Sequence, residues 1–149
     1  MRFVVDAPKG KTWFRLETEV EAVQESELMH HAVEKYFRLE QVKATQSFQP
    51  GGGAFFEQEI GLRAHIQHEM PLFLTLRDED GKAHATAMLP PRGQEDPTFR
   101  IIIVGASNGD PYADDADAIS ALAMHFQLNL ERERCYPYYR NRLGGGGDE

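Results

Sequence analysis

Four consecutive glycines near the end of the chain are the residues whose type and spacing point most directly to chemistry. Glycine has no side chain, so an extended run of it can enter a narrow channel of another protein that any Cβ atom would block. The same run is also typical of a flexible end or a linker, which contributes nothing to a core. The run and its flanking residues are Arg140, Arg142 and Leu143, then Gly144, Gly145, Gly146 and Gly147, then Asp148 and Glu149.

The histidines are candidate metal ligands. The spacing of His65, His68 and Glu69 matches neither of the two zinc-protease patterns, HExxH and HxxEH. We expect a strand here, and on a strand two residues three apart point to opposite faces. The sequence therefore predicts no metal site and assigns all six histidines to the surface or the core: His30, His31, His65, His68, His84 and His125.

A group of aspartates, Asp110, Asp114, Asp115 and Asp117, is the second candidate for binding a cation. The group lacks the central glycine and the terminal glutamate of a calcium loop. Negative side chains at the start of a helix are stabilised by the helix dipole, and this is the interpretation we adopt.

Cys135 is a candidate nucleophile, because Arg132 and Arg134 could lower the pKa of its thiol. No histidine partner is evident, so we interpret it as structural. The chain contains neither a phosphate-binding loop nor a nucleophile elbow. The sequence thus predicts no catalytic side chain, no cofactor and no enzymatic activity.

Composition narrows the class of protein. The chain has 149 residues, of which 41% are apolar, enough for one ordinary domain or two small ones. A net charge of −8 argues against binding nucleic acid. The single cysteine excludes an internal disulfide and favours the cytoplasm. No stretch approaches the roughly 20 apolar residues of a membrane span, so we expect no membrane association.

The first half of the chain is predicted to begin with a hairpin. Residues 2–6 form a β-branched and aromatic strand, and residues 12–22 alternate between apolar and polar side chains, which predicts a half-buried strand. Thr18 and Glu21 have the spacing of a helix capping box, which is the alternative. Further on we expect an amphipathic helix from Leu28 to Leu39 that is N-capped by Ser26, and strands at residues 42–48 and 55–66.

The second half contains the clearest hairpin signal. Two apolar strands, residues 72–77 and 82–89, flank the turn sequence Asp78-Glu79-Asp80-Gly81. Residues 99–104 (FRIIIV) predict a short strand at the centre of the sheet. A second helix should begin near Asp114, with an apolar face that contains Ile119, Leu122, Ala123 and Phe126. The fold class is therefore α+β.

The two ends of the chain together resemble the ubiquitin-like, β-grasp family of protein modifiers. The start has the family's order of strand, tight Gly10-Lys11 turn, strand and amphipathic helix, and Arg142-Leu143-Gly144-Gly145 is similar to the family's Leu-Arg-Gly-Gly ending. A second Gly-Lys turn at Gly81-Lys82 suggests a tandem arrangement, as in bacterial tandem ubiquitin-like proteins. We therefore expect one ubiquitin-like unit at residues 1–69, a modified one at 70–143 and a flexible tail at 144–149.

The resemblance implies a chemistry at the tail. A processing peptidase would remove Asp148 and Glu149, an E1-like enzyme would activate the exposed glycine carboxylate, and an E2-like enzyme would join it to a target protein. Gly144 to Gly147 would be the conjugation tail, and Arg140, Arg142 and Leu143 would be recognised by the activating enzyme.

Two other functions remain open. One is a non-catalytic protein-interaction module for which the tail is irrelevant. The other is a small-ligand-binding α+β domain with a cleft beside Trp13 and the tyrosines of residues 136–139.

Overall fold

The computed structural model describes residues 1–138, so the glycine run and the residues around it lie outside the described part of the chain. The class is α+β, as predicted. The principal elements are β1 (Arg2–Ala7), β2 (Lys11–Arg15), α1 (Glu19–Met29), α2 (Val33–Gln46), α3 (Phe55–Glu69), β3 (Leu72–Arg77), β4 (Ala83–Leu89), β5 (Ile102–Val104) and α4 (Tyr112–Phe126).

The five strands have the same order in the sheet as in the chain, β1-β2-β3-β4-β5, and each pairs antiparallel with the next. Both predicted hairpins, β1–β2 and β3–β4, are confirmed. β2 also pairs with β3, so residues 1–69 and 70–138 contribute to one sheet. This strand order gives no support of its own to the β-grasp assignment, and both that assignment and the division into two units stay predictions.

The second strand is shorter than predicted. β2 ends at Arg15, and α1 begins at Glu19, so the prediction of a strand through residue 22 is wrong. The capping box explains the difference: Thr18 Oγ1 accepts from the Glu21 N–H at 3.2 Å, and Glu21 Oε1 accepts from the Thr18 N–H at 3.2 Å. These two bonds satisfy groups that a helix end would otherwise leave unpaired.

Two further helices, α2 and α3, differ from the predicted elements. α2 begins at Val33 and continues through residues 42–46, so the predicted strand at 42–48 is wrong. The helix predicted from Leu28 to Leu39 is confirmed over residues 33–39, but its start is wrong, because Leu28 and Met29 are the end of α1. Residues 55–66 are helical in α3, not a strand. In each case the alternation rests on only a few apolar residues, and so short a pattern does not separate a strand from a helix.

Two layers of helices cover the sheet. On one face, α4 buries Ile119 and Leu122 against Trp13 and the leucines of β3. The predicted apolar face of this helix is thus confirmed. On the other face, α1 and α2 bury a smaller cluster around Phe37 and Phe73. β3 is buried on both faces, as expected for a central strand.

β5 lies at the edge of the sheet, so the prediction that residues 99–104 are central is wrong. Its apolar character has another cause. Ile103 packs in the core under α4, and Tyr136 forms a parallel bridge with Ile102 on the outer side of the strand. The chain that follows α4 therefore partly covers this edge.

We predict that Thr18→Ala lowers the free energy of unfolding by about 1 kcal/mol, because the capping hydroxyl of α1 is lost. The measurement is urea denaturation followed by circular dichroism. Thr45→Ala is the matched control: the Thr45 hydroxyl bonds the Gln41 carbonyl inside α2 and caps no helix. It should change stability by less than about 0.5 kcal/mol. Equal losses in both variants would contradict the capping role.

Candidate functional site

A buried carboxylate connects α1 to the sheet. Glu25 is 0% exposed. Its Oε1 accepts from Arg77 Nη2 at 2.7 Å, and its Oε2 accepts from Thr86 Oγ1 at 2.5 Å. Charge-assisted hydrogen bonds of this kind are about twice as strong as neutral ones. Both oxygens of the carboxylate are therefore occupied by partners on β3 and β4.

His31 extends this network toward the surface. Its Nε2 lies 2.8 Å from Thr86 Oγ1, and its Nδ1 lies 3.4 Å from the Val33 nitrogen. The Thr86 hydroxyl donates its proton to Glu25, so the Thr86 oxygen accepts a hydrogen bond from the N–H at His31 Nε2. The other ring nitrogen, His31 Nδ1, then carries no proton and accepts from the Val33 N–H. Burial lowers the pKa of His31 and outweighs the opposing effect of Glu25. His31 is thus a neutral imidazole near pH 7.

The turn between α1 and α2 is held by a second side chain of α1. Ser26 was predicted to be the N-cap of a helix that begins at Leu28, and this is wrong because Ser26 lies inside α1. Its Oγ nevertheless accepts from the Glu34 N–H at 3.0 Å, in the first turn of α2. His30 adopts a left-handed conformation (φ 53°) that ends α1 and turns the chain into α2.

A cavity of about 320 Å³ lies beside His31. It occupies the part of the sheet over β4 and β5 on the face that α1 and α2 cover only in part. Its walls are largely apolar, with polar groups at His31, Thr86, Asn108 and Tyr136. The apolar lining comes from Val33, Tyr36, Phe73, Met88, Ile102, Val104 and Pro137, together with the small side chains Ala32 and Ala87.

The size and lining of this cavity suit a small ligand. Ligand pockets are mostly apolar, carry a few placed polar groups and typically span about 300–1,000 Å³. The Thr86 hydroxyl and the His31 ring are already hydrogen-bonded to each other. Because the Thr86 hydroxyl gives its proton to Glu25, His31 Nε2 is the donor in this bond and cannot act as a base toward Thr86. The two side chains therefore form a fixed polar wall of the cavity.

The predicted ligand cleft is corrected in one respect. Trp13 is buried under α4, where its Nε1 donates to the Ala118 carbonyl at 2.8 Å. It lies on the opposite face of the sheet from the cavity. Tyr136 does line the cavity, whereas Tyr138 is buried in the core under α4.

The predicted tail residues cannot be placed. Arg140, Arg142, Leu143 and the run Gly144, Gly145, Gly146 and Gly147 lie outside the described residues. Their proposed roles in recognition and conjugation stay predictions.

The other candidate residues have local partners. His65 bonds Ser47 Oγ and His68 bonds Glu69, both at 2.8 Å. Both histidines lie on α3, where residues three apart share a face. The prediction that they lie on a strand and point to opposite faces is therefore wrong. Within residues 1–138 no group of three or more potential ligands is placed to hold a metal ion.

The candidate cation ligand Asp115 and the candidate nucleophile Cys135 are both buried. Asp115 is buried and accepts from Lys11 Nζ at 2.6 Å, so it does more than complement the helix dipole. Cys135 is buried, and burial raises the pKa of its thiol, which agrees with a structural role.

Sequence reasoning missed Glu25, Arg77, Thr86 and His31 as a group. A signal for one of them was present. Once residues 19–29 are known to be a helix, Glu25 falls in the buried row with Ala22 and Met29. A charged residue in such a row requires a buried partner. The partners lie 52 and 61 residues away, and only the folded chain identifies them.

No known family model, curated protein or solved structure matches this chain. No helix within residues 1–138 combines the length and the apolar character needed to cross a lipid bilayer. The candidate function therefore depends on the geometry of the cavity and on the sequence of the tail.

We predict that Arg77→Met lowers the free energy of unfolding by about 3 kcal/mol, because it leaves the Glu25 carboxylate buried without a cation. Adding Glu25→Gln should recover part of the loss, since a buried amide costs less than a buried charge. Denaturant unfolding at pH 7 measures both effects.

Arg38→Met is the matched control. Arg38 also pairs with two carboxylates, those of Glu19 and Glu34, but these pairs are exposed. Its loss should cost clearly less than the loss of Arg77, because ion pairs at the surface contribute little to stability. If Arg77→Met costs no more than Arg38→Met, the buried ion pair is not a main support of the fold.

Proposed function

We propose that this protein is a small-ligand-binding α+β domain, with its ligand in the cavity over β4 and β5. The observation that carries the proposal is an apolar cavity of about 320 Å³ with one polar wall. Exposed apolar area of this kind is costly in water and is a common mark of a binding site. The satisfied network behind the wall keeps its shape without the ligand.

A filled cavity tests this proposal. Val104 lies opposite Thr86 in the pairing of β4 with β5 and lines the cavity. Val104→Phe should occupy the space that a ligand would use. Val42→Phe is the matched control, because Val42 is exposed on α2 and does not line the cavity.

The probe is 2-naphthylmethanol, a neutral bicyclic alcohol. At ten times its Kd it should raise the free energy of unfolding of the natural protein and of Val42→Phe by about 1.4 kcal/mol. Val104→Phe should show no such rise. Thermal unfolding with and without the probe measures this. The proposal is wrong if the probe stabilises none of the three proteins, or stabilises Val104→Phe as well as the others.

A second proposal is that the chain is a cytoplasmic ubiquitin-like modifier, trimmed behind its glycines and conjugated to a target protein. Its support is the sequence of the tail, Arg142-Leu143 followed by Gly144 to Gly147, together with the hairpin and helix at the start of the chain. Tyr138, the last described residue, is buried, and the first glycine of the run is six residues further along the chain. A modifier uses its tail for chemistry and its body for docking, so a ligand cavity does not conflict with it.

Replacing tail glycines tests the modifier proposal. Co-expression with the genes adjacent to its own should give a product without Asp148 and Glu149 that is joined to another protein. Gly146→Leu with Gly147→Leu should abolish joining and leave Tm unchanged. Gly51→Leu with Gly52→Leu is the matched control, because an added Cβ meets nothing within 4 Å there. Intact-mass measurement reads the result, and a persistent full-length mass beside a competent activating enzyme would reject the proposal.

A further inference from the structure

The mouth of the cavity continues into an open groove on the surface. The two depressions share His31, Ala32 and Asn108. The groove is also lined by Glu27 and Glu34. A ligand that fills the apolar cavity can therefore extend a polar end into a region with two carboxylates.

The charges around the groove favour a cation. Within residues 1–138, Glu27 forms no ion pair. Glu34 shares Arg38 with Glu19, at 3.1 and 2.8 Å. The imidazole of His31 adds no charge near pH 7, because burial lowers its pKa.

An anion would find few donors here. The start of α2 faces the groove, and a helix start usually attracts anions through its free N–H groups. The N–H groups of Val33, Glu34 and Lys35 are already bonded, to His31 Nδ1, Ser26 Oγ and the Ala32 carbonyl. The helix start is thus closed to an anionic ligand.

We propose that the cavity selects an amphipathic amine, whose apolar body fills the space over β4 and β5 and whose ammonium group lies beside Glu27 and Glu34. This inference rests on the proposed ligand-binding function and adds the class of ligand. The carboxylates are at the surface, where a single ion pair changes affinity by up to about fivefold. The preference for the amine should weaken as salt is added, because salt screens exposed charges.

Three probes with the same ring system test the ligand class. They are 2-naphthylmethylamine as the cation, 2-naphthylmethanol as the neutral compound and 2-naphthoate as the anion. Isothermal titration at pH 8 and low salt, where imidazoles are neutral, gives their affinities. The amine should bind about fivefold more tightly than the alcohol, and the naphthoate more weakly than both.

Charge-neutral variants assign this preference to the groove. Glu27→Gln with Glu34→Gln should reduce the advantage of the amine to less than twofold and leave the affinity of the alcohol unchanged. Glu40→Gln is the matched control, because it removes a charge from α2 that lines neither depression. It should keep the full preference.

The outcomes separate the two proposals. The proposed ligand class is wrong if the alcohol binds and the amine binds no more tightly than it does. It is also wrong if the double variant still prefers the amine. In both cases the proposed binding site is still supported. If the alcohol does not bind, or binds Val104→Phe equally well, the proposed function itself fails. An amine that binds Val104→Phe as well as the natural protein shows attraction to the acidic surface alone and also rejects the inference.

Discussion

The burial of the Glu25 carboxylate is the constraint on which much of the architecture depends. A charge in the interior is tolerated only when partners occupy its oxygens, and the two partners stand on neighbouring strands. α1 must therefore lie across β3 and β4 with the Glu25 side chain directed at the sheet. Such a pair adds little net stability compared with apolar residues, but breaking it is costly. Its main effect is to allow one placement of α1 and to exclude others.

That placement accounts for the cavity. α1 and α2 pack against each other on this face of the sheet, with Phe37 of α2 on Phe73 of β3 at a centroid distance of 5.2 Å. The turn between them, at His30 and His31, is fixed by Thr86 and Ser26. The pair therefore stops short of β5, and Ile102 and Val104 of this strand line the cavity beside the turn. On the other face, α4 packs Ile119 and Leu122 on the core of the sheet.

The two proposed functions use different parts of the molecule. Ligand binding uses a preformed pocket whose polar wall is already satisfied, so a ligand gains mainly from burying apolar surface. Conjugation would use the glycine tail for its chemistry and the folded body for docking. The exposed side chains of Phe56 and Ile60 on α3 enter neither proposal.

The sequence alone determined the local features whose signals are short-ranged. It predicted the α+β class, both hairpins and the apolar face of α4, because turn chemistry and a long periodic run act within a few residues. It did not distinguish strand from helix at residues 17–22, 42–48 and 55–66, because a short alternating run does not identify a strand. The capping box decides the first of these, and Ala44 joins the cluster around Phe37 in the second. The sequence also did not predict the strand order or the position of β5 at the edge of the sheet.

The site was decided by tertiary structure. Glu25, His31, Arg77 and Thr86 come from four separate segments, and none of them has a motif around it. Long-range pairing of strands brings Arg77 and Thr86 under α1, and only there does the carboxylate find both partners. The glycine tail is the reverse case: its proposed chemistry is readable from the sequence because glycine acts there through the absence of a side chain, which needs no neighbours.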